Sequence, residues 1–281
     1  MTTEPFGALR PSPLQERFRS LARRLPANYF GRKAASLLLG PAGGRAPRSY
    51  DVEIFGGQKA RLHPFDNICE KRVFLTPQLW DGEERALLGA AIAKSRGGVF
   101  TFVDVGANVG LYALFARAEA IRAGVRLNAV CIEADPEMAA RLNFNLAASG
   151  ASDDAAVFNC AASAAEGEMR FSVNRNSRGL SRIDPEGETR VAARPLRSIL
   201  ADAGIRRIDA MKIDIEGHEF ETLTAFFRDA PQELLPGLMI VETSHADEER
   251  SPETLLRDKR YRLLRAMRRN AVFANDGHSP G

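Results

Sequence analysis

The run Phe102-Val103-Asp104-Val105-Gly106-Ala107-Asn108-Val109-Gly110 constrains the fold more than any other part of the sequence. An apolar or β-branched strand over 99–105, interrupted only by Asp104, leads into a glycine turn, and residues 111–116 continue as a helix. Such a strand–turn–helix unit brings backbone N–H groups and a helix N-terminus close to a bound ligand. Glycine permits the turn because it has no Cβ. The run therefore predicts a pocket for a nucleoside-type ligand.

The glycine spacing and the acidic residue indicate which kind of nucleoside the pocket takes. Dinucleotide-binding turns have two glycines two positions apart, which lets a pyrophosphate approach closely. Here Gly106 and Gly110 are four positions apart, and Asn108 stands between them. A carboxylate at Asp104 repels a pyrophosphate and attracts a ligand with a cationic or amine-bearing tail. The alternative is an ordinary glycine turn of an α/β protein.

Strands and helices alternate along the chain from residue 99 onward, which is the pattern of a parallel sheet covered by helices on both faces. Ahead of this region, Asp81 is expected to cap a helix over 82–94, with Glu84 completing a capping box. Functional side chains of such a sheet collect at the carboxyl ends of its strands. The predicted strands are 99–105, 127–132, 156–161, 168–173, 208–213 and 238–242, and the predicted helices include 109–122, 136–147 and 219–227.

The first 50 residues differ in charge from the rest of the chain. They hold nine Lys or Arg residues and two acidic ones, although the whole chain has a net charge of only +3. The basic amphipathic helix that we expect in this segment either packs on the domain or contacts anionic lipid at a membrane surface. No array of aromatic and basic residues follows it, so no nucleic-acid partner is expected. A basic amphipathic helix is expected over about 13–25, with these apolar residues at helical spacing before Pro26: Leu14, Phe18, Leu21 and Leu25.

The features of an exported or membrane-spanning protein are missing from the sequence. The N-terminal residues lack the basic-then-apolar order of a signal peptide, and no uncharged apolar run reaches the about 18 residues of a transmembrane helix. The three cysteines are far apart and odd in number, which does not fit a disulfide or zinc framework. We therefore expect a cytoplasmic protein. Contact through the basic helix would place this protein at the inner membrane surface.

Glu133 lies at the carboxyl end of the second predicted strand, 27 positions after Gly106. In nucleotide-binding α/β folds, an acidic residue at this place accepts hydrogen bonds from the ribose hydroxyls. A carboxylate suits this role because it only accepts hydrogen bonds and can serve two hydroxyls. The alternative is a solvated turn charge, but the neighbouring glycine turn favours the ribose role.

A second cluster of ionisable residues ends the predicted strand at 208–213, in the run Lys212-Ile213-Asp214-Ile215-Glu216-Gly217-His218-Glu219. Buried carboxylates are destabilising unless they are paired or used. The cluster therefore predicts a functional site, with a salt-linked turn around Lys212 as the alternative. No metal site is expected, because His245 is the only candidate for a second histidine ligand and it is distant in sequence. The run Glu242-Thr243-Ser244-His245 ends the next predicted strand and falls beside this cluster if the two strands are neighbours, so that His245 is a candidate general base or else a loop histidine.

In their order, the runs 104–110 (DVGANVG), 133–136 (EADP) and 212–219 (KIDIEGHE) resemble the FkbM-type methyltransferase family, and 62–67 and 80–85 also resemble its members. The resemblance covers about residues 60–245. It implies the class I α/β fold, a Rossmann-like three-layer sandwich with a mostly parallel sheet, and S-adenosyl-L-methionine as the cofactor. The expected organisation is a basic N-terminal helical extension and linker at 1–49, followed by a methyltransferase domain at 50–281.

The resemblance also assigns roles to residues. Glu133 holds the ribose, Ala161 lies near the adenine, and Asp214 and Glu216 face the transferred methyl group or the substrate. The expected reaction is O-methylation of a hydroxyl on a sugar, a glycan or a small-molecule metabolite, with Asp214, Glu216 or His245 as the proton acceptor. The alternatives are a nicotinamide-dependent oxidoreductase and a non-catalytic cofactor-binding domain. The expected cofactor-binding residues are Asp104, Gly106, Ala107, Asn108, Gly110, Glu133 and Ala161.

Overall fold

The computed structural model describes residues 4–95, 97–172, 182–183, 187–244 and 251–277. Short 3-10 turns at Pro77–Leu79 and Gln232–Leu234 connect some of the longer elements. The α-helices within the described ranges are α1 (Pro13–Ala22), α2 (Tyr29–Leu38), α3 (Ile68–Leu75), α4 (Gly82–Lys94), α5 (Leu111–Ala123), α6 (Pro136–Ala148), α7 (Leu196–Asp202), α8 (Glu219–Asp229) and α9 (Pro252–Asp258).

The strands of the same ranges form three sheets. β1 and β2 make a separate hairpin that precedes the main sheet in the chain, and a four-stranded sheet has the order β6-β9-β7-β8. The strands are β1 (Tyr50–Ile54), β2 (Gln58–Leu62), β3 (Val99–Val105), β4 (Arg126–Ile132), β5 (Ala155–Phe158), β6 (Ala161–Ser163), β7 (Gly167–Ser172), β8 (Arg182–Ile183), β9 (Thr189–Pro195), β10 (Ala210–Ile213), β11 (Leu238–Glu242), β12 (Arg262–Ala266) and β13 (Asn270–Ala274).

The largest sheet has seven strands in the order β12-β13-β11-β10-β3-β4-β5. β10 pairs in parallel with both β3 and β11, and β4 and β5 extend the parallel part beyond β3. β13 runs antiparallel to β11 and to β12. Because the parallel strands point the same way, Val105, Ile132 and Ile213 end at one edge of the sheet. The mostly parallel sheet predicted from the alternation is confirmed.

Helices cover both faces of this sheet. Side chains alternate between the two faces along a strand, and β3 therefore contributes to both cores. Phe102 packs with Leu114 of α5 in the core on one side, whereas Val103 packs with Leu223 of α8 in the core on the other side. The three-layer α/β sandwich is thus formed by buried residues on both sides, as predicted.

The residues before β1 pack against the same domain. Arg19 of α1 donates a hydrogen bond through Nε to the carbonyl oxygen of Phe74 at 3.0 Å. The predicted apolar face of this helix is only partly correct. Phe18 and Leu25 pack on the core, but Leu14 and Leu21 are exposed, because Arg19 occupies the buried side of the helix. No helix among the described residues is long and apolar enough to cross a bilayer.

The predicted strand at 156–161 is two strands. β5 ends at Phe158 in the main sheet, and β6 begins at Ala161 in the four-stranded sheet. Between them, the Asn159 amide donates hydrogen bonds to the carbonyl oxygens of Glu133 and Ala134, at 2.8 and 3.2 Å. This side chain holds the chain in a turn, so the apolar run changes from one sheet to the other.

The predicted capping box at the start of α4 is absent. Asp81 adopts the left-handed conformation, with φ of 43°, and makes no side-chain cap. Its carboxylate instead accepts a hydrogen bond from the Tyr112 hydroxyl at 3.1 Å. Glu84 accepts one from the Asn270 amide at 2.9 Å. Both carboxylates therefore bond to side chains outside α4, and the cap is given up for these contacts.

Candidate functional site

The glycine turn follows β3 at the carboxyl edge of the main sheet. Gly106 has φ of +76°, and a Cβ there would lie 1.9 Å from the carbonyl oxygen of Asp214. Gly110 has φ of +81° and forms the N-cap of α5. Asn108, between them, also has a positive φ of 52°. The turn therefore needs glycine at 106 both for its backbone conformation and for its contact with the turn after β10.

Glu133 stabilises the glycine turn from the end of β4. One of its carboxylate oxygens accepts a hydrogen bond from the backbone N–H of Asn108 at 2.7 Å, and the other accepts one from the N–H of Asp135 at 2.8 Å. Burial raises the pKa of Glu133 to about 7, although these hydrogen bonds lower it. Each oxygen keeps a second lone pair, so the carboxylate can accept further hydrogen bonds from a ligand.

Asp104 is a buried carboxylate without a hydrogen bond. It is 1% exposed, and neither of its oxygens has a hydrogen-bond partner. The nearest cation is the Lys212 ammonium, with Nζ 3.9 Å from Oδ1. Burial raises the pKa of Asp104 to about 7, against the lowering effect of the Lys212 charge. Buried polar groups in native proteins normally have a hydrogen-bond partner. The described residues supply no such donor to this carboxylate, so a bound ligand could donate the hydrogen bond.

Lys212 links the two acidic strand ends. β10 and β3 are in register there, with Lys212 opposite Asp104. The Lys212 ammonium lies 3.2 Å from Oδ2 of Asp214 and 5.2 Å from the centre of the Tyr112 ring. Burial alone would raise the pKa of Asp214, but the charge and hydrogen bond of Lys212 hold that pKa below its ordinary value. Asp214 is therefore ionised at neutral pH.

Three carboxylates meet beside Lys212. Asp214, Glu216 and Glu242 each place an oxygen within 4.8 Å of the others. Glu242 ends β11 and accepts hydrogen bonds at 2.6 Å from the Ser244 hydroxyl and from the Arg269 guanidinium. Burial and the charge of Asp214 raise the pKa of Glu242 to about 7. At neutral pH, Asp214 is therefore ionised, whereas Glu242 can gain or lose a proton.

Residues from the chain before β3 close one side of the site. Asn67 caps α3 and donates a hydrogen bond through its amide to the side-chain oxygen of Asn108 at 2.8 Å. Trp80 and Asp81 face the same space from the end of this segment. Together with the strand ends they enclose a cleft of about 920 Å³, a volume that includes the open mouth. The cleft is therefore bounded by the strand ends of the main sheet on one side and by the segment that follows α3 on the other.

Most of the residues singled out in the sequence line this one cleft. Gly110 is not among the lining residues, because it begins α5, and its missing Cβ makes room for Leu142. His245 lies outside the described residues. The sequence-predicted residues that line the cleft are Asp104, Gly106, Ala107, Asn108, Glu133, Ala161, Asp214 and Glu216.

Several residues of the site were not identified from the sequence. Glu242 lies at the carboxyl end of β11, beside β10. The sequence placed its run beside the cluster around Asp214 if the two strands are neighbours, but only His245 of that run was given a role. Asp81 was assigned only to a helix cap. Tyr112 was read as part of a helix, although its hydroxyl bonds to Asp81. Arg269, between β12 and β13, reaches Glu242 from a hairpin for which the sequence contained no signal.

Comparison with known proteins gives a match in sequence and similarities in structure. The family described as Methyltransferase FkbM domain matches residues 104–266, which is more than half of the chain. This stretch contains the glycine turn, both acidic strand ends and Glu242. No curated protein sequence matches the chain.

Several solved methyltransferase structures are similar to parts of this chain at low sequence identity. The methyltransferase FkbM from Methylobacillus flagellatus KT is 12% identical, with a TM-score of 0.45 over 92% of this chain and 77% of that chain. The METTL16 methyltransferase domain is 13% identical, with a TM-score of 0.44 over 70% of this chain and 67% of that chain. An O-methyltransferase from Bacillus cereus, in complex with SAH, is 12% identical, with a TM-score of 0.41 over 69% of this chain and 82% of that chain.

The sequence match and the architecture lead to the same assignment. The mostly parallel seven-stranded sheet with helices on both faces is the class I methyltransferase fold expected from the sequence. The matched residues supply the glycine turn and the acidic strand ends that line the cleft. On this basis the chain belongs to the FkbM methyltransferase family.

Proposed function

We propose that this protein is an S-adenosylmethionine-dependent O-methyltransferase that methylates a hydroxyl of a neutral sugar, glycan or other polyhydroxylated metabolite. The observation that carries the proposal is Asp104, a buried carboxylate that accepts no hydrogen bond and faces the cleft beside the glycine turn. A ligand ammonium would satisfy it with a charge-assisted hydrogen bond.

The residues around Asp104 fit the remaining parts of the cofactor. Because Gly106 has no Cβ, the glycine turn packs against the carbonyl oxygen of Asp214, and the turn lines the cleft between β3 and β10. Glu133 retains lone pairs for the two ribose hydroxyls, and Ala161 adds a small apolar side chain to the lining, which suits a base. Carboxylates outnumber the single lysine in the described lining, which disfavours the pyrophosphate of a nicotinamide cofactor.

When bound, S-adenosylmethionine supplies a methyl group on a cationic sulfur. Its transfer to the acceptor oxygen would break the carbon–sulfur bond and leave that electron pair on the sulfur. The hydroxyl proton has to leave to a base on the protein. The rest of the task is positioning, which can be worth roughly 7–11 kcal/mol in favourable cases.

Asp214 and Glu242 together fit the role of that base. Asp214 is ionised and lines the cleft, so it can accept a hydrogen bond from the acceptor hydroxyl and orient it. Glu242 contacts Asp214 from the neighbouring strand and has a pKa of about 7, which suits a group that holds the proton near neutral pH. Glu216 completes the carboxylate cluster at the cleft wall. His245 stays a candidate for the same step.

The charges of the cleft support a neutral acceptor rich in hydroxyl groups. Asp81, Asp214 and Glu216 all line the space beside Lys212. Ionised carboxylates accept hydrogen bonds from hydroxyls but repel phosphorylated or carboxylated acceptors. Sugars and other polyols fit these groups better than anionic metabolites, and the acceptor class follows from this preference.

Two titrations and an acceptor screen test the proposal. We expect the purified protein to bind S-adenosylhomocysteine and not NAD in isothermal titration calorimetry. We expect methyl-labelled S-adenosylmethionine to label neutral sugars or glycans in preference to their phosphorylated forms. Binding of NAD alone would overturn the cofactor assignment, and labelling restricted to amines or to phosphorylated acceptors would overturn the acceptor class.

A divalent cation provides a further arm of the screen. The assays are run with EDTA and with added Mg²⁺, because three carboxylates close together are also a geometry that binds metal ions. Equal rates in both conditions are expected when Asp214 and Glu242 act as the base. An absolute requirement for Mg²⁺ would mean that these carboxylates hold a cation, and the proposed base would be wrong.

A further inference from the structure

The two helices before β1 carry an unusual concentration of exposed apolar side chains. Phe30 and Leu37 are each 77% exposed, and Tyr29 is 63% exposed. Elsewhere among the described residues, large exposed apolar side chains are scattered singly, as at Val99 and Ile121. Isolated residues of this kind are ordinary, whereas a group of them indicates an interaction surface.

Helix α2 has its large residues outside and its small residues inside. Gly31 and Ala35 are the residues of this helix that are buried. A Cβ at Gly31 would lie 2.0 Å from the carbonyl oxygen of Pro26, so this side of the helix packs closely against the preceding turn. Phe30 and Leu37 are seven positions apart, or about two helical turns, and share the outer face. The large apolar side chains of α2 therefore face away from the domain core.

The same surface is positively charged. Between Glu16 and Asp51 the sequence contains eight Lys or Arg residues and no acidic residue. Arg24, Arg32 and Lys33 are exposed, and the Lys33 ammonium lies 4.9 Å from the centre of the Tyr29 ring. We define the α2 surface as Arg24, Tyr29, Phe30, Arg32, Lys33 and Leu37.

We propose that the α2 surface docks the protein on an anionic lipid bilayer. Tyr29, Phe30 and Leu37 enter the interface between headgroups and acyl chains, where aromatic and leucine side chains of interfacial helices are buried. Arg24, Arg32 and Lys33 contact the lipid phosphates, each contributing to the attraction of a basic segment to anionic lipid. The helix lies along the bilayer plane and does not cross it.

The charge distribution selects lipid over a second copy of the chain. A two-fold symmetric dimer through the α2 surface would bring its basic residues against the same residues of the other copy, and like charges across an interface are destabilising. An anionic bilayer satisfies both the apolar residues and the basic ones. No acidic residue of segment 17–50 opposes this contact.

The surface is held on the domain by contacts of the preceding helix. Besides the bond from Arg19 to the Phe74 carbonyl, the Gln78 amide donates a hydrogen bond to the carbonyl oxygen of Ala22 at 2.9 Å. Phe74 lies in α3 and Gln78 lies in the 3-10 turn that follows it. This segment leads directly to Trp80 at the cleft wall. A bilayer bound at α2 is therefore connected to the catalytic domain through packed structure.

Vesicle sedimentation with the full chain tests the proposal. Vesicles of phosphatidylcholine alone are compared with vesicles containing about one-third phosphatidylglycerol, at low and at high salt. We expect sedimentation with the anionic vesicles at low salt, a loss of most of it at high salt because of screening, and little with the neutral vesicles. Failure to sediment with anionic vesicles, or equal sedimentation with both kinds, would overturn the proposal.

Matched variants assign the binding to the α2 surface. Replacing Arg24, Arg32 and Lys33 together by Gln removes three charges worth about fivefold each, so the partition coefficient should fall on the order of 100-fold. The control replaces three exposed basic residues elsewhere by Gln, and should bind like the unchanged protein. The control residues are Arg257, Lys259 and Arg268.

A second pair of variants separates apolar insertion from charge attraction. Phe30→Ser with Leu37→Ser should weaken binding at least about tenfold, because buried apolar area contributes to interfacial binding, whereas Ile121→Ser, at an exposed site on α5, should have no effect. Equal thermal unfolding midpoints verify that the variants are folded. If the serine variants abolish self-association in light scattering but leave vesicle binding unchanged, α2 is an interface between copies and the proposal is wrong.

Discussion

Two groups of buried charges in this protein each combine a basic residue with carboxylates, but they differ in how far the chain itself supplies hydrogen bonds to them. On α6, the guanidinium of Arg141 is 4% exposed and donates hydrogen bonds to Asp66, Glu70 and Glu137 at 2.6–3.0 Å. The second oxygen of Glu70 accepts a hydrogen bond from the backbone N–H of His63 at 2.6 Å. Burial lowers the pKa of Arg141, but the hydrogen bonds and charges of its partners raise it above its ordinary value.

At the cleft, one of the corresponding charges lacks such donors. Asp104 is as buried as Arg141 but accepts no hydrogen bond, and burial raises its pKa to about 7. The difference shows how burial separates structural from functional charges. Where the chain supplies the donors, the charges hold elements together. Where it does not, the donors are expected from a ligand.

The largest effect is expected where the cleft performs chemistry. Asp214→Asn removes the ionised member of the proposed Asp214–Glu242 base but keeps the shape of the side chain, so kcat should fall between about 10²- and 10⁴-fold. Affinity for S-adenosylhomocysteine should stay within a few-fold, since Asp214 does not hold the cofactor in the proposed arrangement. Initial rates with labelled S-adenosylmethionine and calorimetric titration measure the two quantities separately.

The matched control for this variant is Asp229→Asn, which changes an exposed carboxylate that pairs with Arg228. It should alter neither the rate nor the affinity. If Asp214→Asn lowers affinity and rate by the same factor, Asp214 belongs to the cofactor site, and the base has to be sought at Glu242 or His245.

The next largest effect is expected on stability, at the other charge group. Arg141→Met leaves the Asp66 and Glu70 carboxylates without their cation, and breaking a buried pair in this way costs about 3–5 kcal/mol. Denaturant unfolding measures the change. The control Arg126→Met, at an exposed position, should stay within about 0.5 kcal/mol of the unchanged protein. Equal unfolding midpoints for the two variants would mean that the Arg141 cluster is not structural.

The sequence predicted the cleft better than the structural cluster, for a physical reason. Asp104, Glu133 and Asp214 stand at the ends of apolar strands, and in a parallel sheet those ends meet at one edge whatever the details of packing. A local pattern was therefore enough to bring these residues together. The pairing of Asp66 with Arg141 spans 75 positions between elements with no repeating pattern, so nothing local predicts it.

Errors in the sequence-based interpretation occurred where a tertiary contact replaced a local one. The pattern of Asp81 before a helix favours a cap, but the Tyr112 hydroxyl, 31 positions away, takes its carboxylate. Glu242 was placed near Asp214 only on the condition that β11 lies next to β10, and it was given no role, because a single sequence does not contain the strand order. Arg19 is polar, yet it takes the buried side of α1 because Phe74 supplies a carbonyl acceptor.

A smaller effect is expected at Asp104, where a substitution should weaken ligand binding without lowering the stability of the protein. Asp104→Asn removes the charged partner of the ligand ammonium, and a hydrogen bond to a charged group contributes about 1.5–3 kcal/mol, or roughly 10- to 100-fold in affinity. The unfolding free energy at pH 8 should not fall, because the change removes a buried charge that the chain leaves without a hydrogen bond. Calorimetry and denaturant unfolding measure both quantities.

Methylthioadenosine makes this variant specific, since it has the nucleoside of the cofactor but no amino-acid ammonium. Its affinity should be the same for Asp104→Asn and for the unchanged protein, whereas that of S-adenosylhomocysteine should fall. Equal losses for both ligands would place Asp104 at the nucleoside, and a large loss of stability would place it with the structural charges.

The smallest effect is expected with pH. Because burial raises the pKa of Asp104 to about 7 in the unliganded protein, this carboxyl is protonated below that pH and has to lose its proton to bind an ammonium. Affinity for S-adenosylhomocysteine should fall by at most about tenfold for each pH unit below 7 and level off above it. Calorimetry in buffers of different ionisation enthalpy should detect the proton released on binding.

The stability of the unliganded protein should change with pH in the opposite direction to this affinity. A carboxyl whose pKa is raised on folding binds its proton more tightly in the folded state, so its contribution to stability is lost as pH rises from its ordinary value to about 7. Glu133 and Glu242 add to this loss, as their pKa values are also about 7. The Arg141 cluster does not contribute to it, because an arginine stays protonated throughout this range.

Methylthioadenosine separates the two carboxyls that share a pKa of about 7 and line the cofactor side of the cleft. A pH dependence that appears only with S-adenosylhomocysteine and disappears in Asp104→Asn belongs to the ammonium contact. One that persists with methylthioadenosine belongs to Glu133 and the ribose. If neither ligand shows a dependence between pH 6 and 8, the cleft carboxyls are ionised before the ligand arrives, and the contrast with the Arg141 cluster would then rest on hydrogen bonding alone.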